Sequence, residues 1–161
     1  MTKDEKIELI KEKISGIKTA ALVTIDEHGH LHGRPMATQD IDTNGDLWFM
    51  TAKDSHKISN IEGNPQVSIL YGETTGLPFV SISGSALLSN DREKIKEFWS
   101  DMYKAWFENE NDPNIILIKV SIIGAEYWDH AGGKIGAYID MATSAITGNP
   151  SDNNENEKIK I

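Results

Sequence analysis

The chain contains no cysteine, only two arginines among 161 residues, and no apolar run near the roughly 20 residues that span a bilayer. Without cysteine, disulfides, thiol catalysis and thiolate metal sites are excluded. Basic charge is also scarce: 16 Lys and Arg stand against 25 Asp and Glu, a net charge of −9. Nucleic-acid backbones and anionic membrane surfaces need a surplus of cations on one face, so neither is expected as a partner. The opening Met1-Thr2-Lys3-Asp4-Glu5-Lys6 is mixed in charge and is not a signal peptide. A cytoplasmic location is the expectation. A P-loop, a dinucleotide glycine fingerprint, a zincin helix and an EF-hand loop are all missing.

What is present is ordinary globular composition, 39% apolar and 25% charged, at a length that suits one domain with a full core. Ile7, Leu9, Ile10 and Ile14 recur at helical spacing over Asp4–Ser15, and Gly16 ends that segment. Ala20–Ile25 reads as a strand, Asp26-Glu27-His28-Gly29 as a hairpin turn, and His30–Ile41 as one returning strand. Asn44-Gly45 centres the next turn, before a strand over Leu47–Thr51. A short helix follows, capped by Asp54 or Ser55, with Ile58 and Ile61 inward and Gly63 and Pro65 at its end. Val67–Tyr71 and Phe79–Leu88 are the next strands, separated by a loop over 72–78; Gly84 marks a bulge or a close backbone approach.

Asn90 or Asp91 caps a helix carrying Ile95, Phe98, Trp99, Met102, Tyr103 and Trp106, with Trp99 and Trp106 placed on one buried face by their spacing of seven. A long apolar strand runs from Ile115 to about Ile123 and on to Trp128, which is expected at a strand end or interface. Lys134–Ala145 is read as a helix and Thr147–Glu157 as polar and mobile, before an apolar Ile159-Lys160-Ile161. The tally is six strands in hairpin-linked order with helices after the third and fifth. That pattern predicts a mainly β, α+β chain: an antiparallel barrel with peripheral helices over residues 1–146 and a polar tail over 147–161. Strand and helix do not alternate in the first half, which argues against a dinucleotide-binding βαβ fold.

Two stretches carry chemistry. Gly33-Arg34-Pro35-Met36-Ala37-Thr38 sets a cation inside a strand, where a free charge is costly to bury. Leu47-Trp48-Phe49-Met50-Thr51 leads through Lys53 to Ser55-His56-Lys57 at a helix start. Backbone N–H groups, the positive end of a helix dipole and cationic side chains together hold a phosphate. The plainer alternative is an ordinary serine cap beside solvated lysines. Arg34 favours the phosphate, because its planar fork matches one and hairpin pairing would bring it near the end of the Leu47–Thr51 strand. His28, His30 and His32 alternate and could face a metal, but no carboxylate stands at an obvious ligand position, so a solvated hairpin end is the better reading.

In order and spacing, several motifs together resemble the pyridoxamine 5'-phosphate oxidase-like flavoproteins, and most closely their general stress protein 26-like branch. They are Arg34-Pro35-Met36, Trp48-Phe49-x-Thr51 with Ser55-His56-Lys57, Asn64-Pro65-x-Val67, Gly84-x-Ala86, Trp106-Phe107 with Asp112-Pro113, and Glu126-Tyr127-Trp128-Asp129. The resemblance covers nearly the whole chain. It implies a six-stranded split β-barrel homodimer with FMN in clefts between the subunits. By position, Arg34, Ser55 and Lys57 would hold the FMN phosphate, and His56 stands where the oxidase has an arginine. The backbone of Pro35, Met36, Ala37 and Thr38, and of Phe49, Met50 and Thr51, would line the ribityl chain and ring. Trp128 would approach from the partner subunit.

The oxidase holds its own substrate's phosphate with further arginines in the last third of the chain, and here no arginine follows Arg92. Vitamin B6 oxidation is therefore not expected. The resemblance implies an FMN-dependent oxidoreductase taking electrons from a reduced nicotinamide, or a flavin- or heme-binding carrier without turnover. No catalytic acid or base stands out.

Overall fold

The computed structural model describes residues 1–72, 78–132 and 154–161. Helix α1 spans Lys3–Ile14 and opens on a reciprocal cap, in which the Thr2 hydroxyl accepts from the Glu5 N–H and the Glu5 carboxylate accepts from the Thr2 N–H. Strands β1 (Ala20–Ile25), β2 (Leu31–Met36), β3 (Thr38–Ile41) and β4 (Asp46–Ala52) follow, then α2 (His56–Gly63), β5 (Gln66–Gly72), β6 (Phe79–Ser89) and α3 (Arg92–Phe98). A 3-10 turn covers Asp101–Ala105, and β7 (Ile115–His130) and β8 (Asn154–Lys160) complete the order.

Every strand pair is antiparallel, in the order β2-β1-β5-β6-β7-β4-β3, with β8 beside β7. The two end strands of that order, β2 and β3, are separated only by Ala37. The chain thus passes from one edge of the sheet to the other in a single step, which curls the sheet into the split barrel. This corrects the expected single strand over His30–Ile41: β2 pairs with β1 and β3 with β4, so Arg34 lies opposite Leu22 and not beside β4. Among the described residues, eight strands replace the six expected. The extra two come from the break at Ala37 and from β8.

β4 is buried on both faces because its alternating side chains serve two cores. Leu47 and Phe49 point inward with Leu22, Ile69, Ile82, Ile118 and Val120, and the α1 residues Ile7, Ile10 and Ile14 close that core. Trp48 and Met50 point outward to Ile95, Tyr103, Phe107 and Leu117. Gly45 sits at φ +85°, and a Cβ there would overlap the Ile7 side chain, so the Asn44-Gly45 turn both reverses the chain and lets α1 dock. The register slips between Ser83 and Gly84, and a Cβ on Gly84 would lie 2.9 Å from the Ser121 carbonyl. Gly84 is a bulge and a close approach at once.

Two expectations are revised. The helix over Asn90–Trp106 breaks at Trp99 and Ser100, which are extended (ψ 135° and 159°), and Trp106 is 70% exposed where burial was expected. Residues 154–160, expected inside a mobile tail, form β8 on the half of β7 that β4 does not reach. Ile159 is buried in the inner core there, and Lys13 ties α1 to Asp129 of β7 (2.8 Å) and Glu155 of β8 (3.8 Å). The expected helix over 134–145 and the tail over 147–153 lie outside the described residues. Among the described residues, no helix is long and apolar enough to cross a membrane.

Candidate functional site

The strand break at Ala37, the end of β4 and the start of α2 meet around a cavity of about 390 Å³. Pro35, Met36 and Ala37 supply one side, and Met50, Thr51 and Ala52 another. Ser55 and Lys57 stand at the first turn of α2. The size falls within the range usual for small-molecule sites.

Ser55 occupies the N-cap position of α2 with extended backbone, yet its hydroxyl caps no backbone N–H. Instead it accepts from Lys57 Nζ at 3.1 Å, and Thr51 Oγ1 accepts from the same ammonium at 2.9 Å. The first turn of α2 also holds no acidic residue. Its N–H groups and dipole are thereby left without a side-chain anion, which is the arrangement that favours an incoming one.

Arg34 reaches from β2 across to β1, where Nη1 donates to Thr24 Oγ1 at 2.7 Å and to the Leu22 carbonyl at 3.4 Å. Thr24 is fully buried and also accepts from Asn60 Nδ2 of α2 at 3.0 Å, so it couples Arg34 to the helix that carries Lys57. Burial lowers the Arg34 pKa. Lys57 is lowered too, first by burial and then by the nearby Arg34 charge, with Asp54 opposing. Among the described residues, neither cation forms an ion pair. Two like charges, half-buried and adjacent, repel unless an anion joins them.

Of the residues singled out from sequence, Pro35, Met36, Ala37, Met50, Thr51, Ser55 and Lys57 come together at the cavity, whereas Arg34 lines a neighbouring one with Ala20, Gly33 and Leu70 and is linked to α2 through Thr24. Phe49 does not reach it by side chain; its ring is fully buried in the inner core. The Thr38 hydroxyl turns to Tyr71. His56 faces a separate cavity with Asp26, His28 and Asn60. In the hairpin turn beside it, Asp26 lies 2.8 Å from His32 Nε2 and accepts the N–H groups of His28 and His30. Trp128 packs on Phe79 (ring centroids 5.6 Å apart), at the end of β7 remote from Ile115 and Ile116, which pair with Ala52 and Thr51.

The sequence reading missed a whole wall of the cavity: Met102, Tyr103, Trp106 and Phe107. The available signal was Ser100-Asp101, a second start-of-helix pair directly after Trp99.

The pyridoxamine 5'-phosphate oxidase like family model matches residues 5–152. General stress protein 26 of Bacillus subtilis (strain 168) is 30% identical over 118 residues, covering 69% of this chain and 82% of that protein. The crystal structure of general stress protein 26 from Bacillus anthracis str. Sterne superimposes with a TM-score of 0.67 at 30% identity, covering 79% of this chain and 94% of that one. The general stress FMN/FAD binding protein of Xanthomonas citri superimposes with a TM-score of 0.62, also at 30% identity, over 75% of this chain and 86% of that one.

Proposed function

The chain belongs to the pyridoxamine 5'-phosphate oxidase-like family, in its general stress protein 26 branch, and from that premise we propose that it binds FMN. The observation that carries the reading is the pair Arg34 and Lys57, two half-buried cations that form no ion pair among the described residues, near the uncapped first turn of α2. A phosphate dianion satisfies all three features at once. Lys57 keeps one N–H beyond those given to Thr51 and Ser55, and the Arg34 fork keeps its second nitrogen. The Xanthomonas citri relative, an FMN/FAD binding protein by name, supports a flavin over other phosphates. A single terminal phosphate grip favours FMN over FAD.

Bound there, FMN supplies two-electron hydride chemistry, for which the protein provides position and electrostatics. Pro35, Met36, Ala37, Met50 and Thr51, which line the cavity, would lie along the ribityl chain and ring. The reading is an oxidoreductase fed by a reduced nicotinamide, built as a homodimer in which Trp128 of one subunit closes the cleft of the other. It is not a vitamin B6 oxidase, since no arginine follows Arg92 to grip a phosphorylated substrate.

The test is FMN uptake. Protein incubated with FMN and then desalted should stay yellow and be bleached by a reduced nicotinamide, recovering in air. Arg34→Ala combined with Lys57→Ala should weaken FMN by roughly a hundredfold or more while the circular dichroism spectrum is kept. Unchanged FMN affinity in that double variant overturns the phosphate assignment. A yellow protein that no hydride donor bleaches would make it a carrier.

A further inference from the structure

The aromatic wall of the cavity has a chemistry of its own. Phe107 and Tyr103 are buried, whereas Met102 and Trp106 are 63% and 70% exposed and stand as free apolar surface. None of the four carries a charge. Tyr103 lies between two indoles, 6.0 Å from Trp99 and 6.4 Å from Trp106 by ring centroids. The polar groups on this wall are the Tyr103 hydroxyl and the Trp106 indole N–H, and of the two the hydroxyl is the one held in place by a neighbour.

The state of its proton follows from Gln39. Gln39 Nε2 donates to the Ala37 carbonyl at 3.2 Å and also to the Tyr103 hydroxyl oxygen. A carbonyl can only accept, so the atom facing Ala37 must be the amide nitrogen, and the same nitrogen faces Tyr103. Tyr103 is therefore the acceptor in that contact. Its own hydrogen is unspent, since among the described residues the hydroxyl forms no hydrogen bond as a donor. Burial raises the Tyr103 pKa, which keeps that hydrogen in place.

We propose that this wall binds a flat, uncharged aromatic carbonyl compound, its carbonyl oxygen accepting the Tyr103 hydrogen and its ring lying against Trp106. The free donor calls for an acceptor, the ring surfaces for a planar body, and the lack of a charged side chain of either sign among these four residues for a neutral one. The inference rests on the reading that FMN has its phosphate at Lys57, which leaves this wall to a second molecule.

Equilibrium dialysis of the FMN-loaded protein against 1-indanone tests it, with indane as the hydrocarbon of the same shape. One 1-indanone should bind per protomer, and Tyr103→Phe should weaken it about tenfold while leaving indane affinity unchanged. Gln39→Glu, whose carboxylate draws the Tyr103 hydrogen to itself, should weaken 1-indanone by a similar factor with every ring retained. Trp106→Ala should weaken both probes. Equal 1-indanone affinity in wild type and Tyr103→Phe overturns the proposal. So does mutual displacement of 1-indanone and FMN, which would give the wall to FMN itself. A protein that takes up no FMN sinks both readings; one that holds FMN but binds 1-indanone without regard to Tyr103 sinks this one alone.

Discussion

The two walls of the cavity are built in opposite ways. The Lys57 wall is polar, comes from residues within a few positions of one another, and carries an ammonium that forms no ion pair among the described residues. The aromatic wall is apolar, comes from a 3-10 turn and its sequel, and shares Tyr103 and Phe107 with the outer core beneath β4 and β7. A ligand site of the first kind is held against the protein's own stability, since burying two cations opposes folding. One of the second kind is an extension of the core, and its residues stabilise the fold whether or not a ligand is present. Mutations should separate the two sharply.

The largest effect should come from Phe107→Ala. Phe107 is 7% exposed within the outer core, and truncating a buried Phe costs about 3–5 kcal/mol. For a chain of this size that is a fall of roughly 10 °C in melting temperature. Differential scanning calorimetry checks it; a loss under about 1 kcal/mol would mean that this wall is not core and would dissolve the comparison.

Next in size is Lys57→Ala, which should weaken FMN by about ten- to a hundredfold in a fluorescence titration, the range for one charge-assisted hydrogen bond. The melting temperature of the FMN-free protein should stay level or rise, because the variant removes a desolvated charge that faces Arg34. A stability loss as large as that of Phe107→Ala would show Lys57 to be structural.

Legibility divides along the same line. Ser55-His56-Lys57 and Arg34 are readable because a helix start, a turn and a cation within a strand leave local marks. Even so, their true coupling, through the Thr24 hydroxyl shared by Arg34 and Asn60, joins three elements and leaves none. The barrel was legible from hairpin signals such as Asp26–Gly29 and Asn44-Gly45. Its closure was not, since nothing in Met36-Ala37-Thr38 marks a change of partner strand. Trp99 and Trp106 stand seven apart, as on one helix face, but two extended residues rotate them onto different surroundings. β8 was hidden for a similar reason: Asn-Glu-Asn-Glu-Lys-Ile-Lys reads as polar tail, and only its pairing with β7 gives Ile159 a core to enter.

A pH series sharpens the contrast at moderate amplitude. The folded-state pKa of Lys57 is lowered by burial and by Arg34, so in the window between that value and the ordinary 10.5 the unfolded chain binds more protons than the native one. By linkage, the FMN-free protein should gain stability as pH rises through this window, the contribution of Lys57 being least favourable below it. FMN affinity should move the other way and fall, as the ammonium that meets the phosphate discharges. Lys57→Met should flatten both trends. Binding of 1-indanone should stay level from neutrality to the start of the tyrosine range, because Tyr103 holds its proton throughout.

The smallest effect on stability should be that of Trp106→Ala, and it tests the comparison most finely. Trp106 is the largest exposed side chain on the aromatic wall, one residue from buried Phe107 and three from buried Tyr103. If the wall were only core, Trp106 would be its frayed margin, and its loss would change neither stability nor binding. If the wall is a site, the same exposure is surface held ready for a ring, and stability and binding come apart. The expectation is a change in unfolding free energy within about 0.5 kcal/mol, as for surface positions generally, alongside weaker 1-indanone binding in the FMN-loaded protein. An indole that can be removed without effect on either quantity would return the wall to the core and leave the Lys57 wall as the functional side of the cavity.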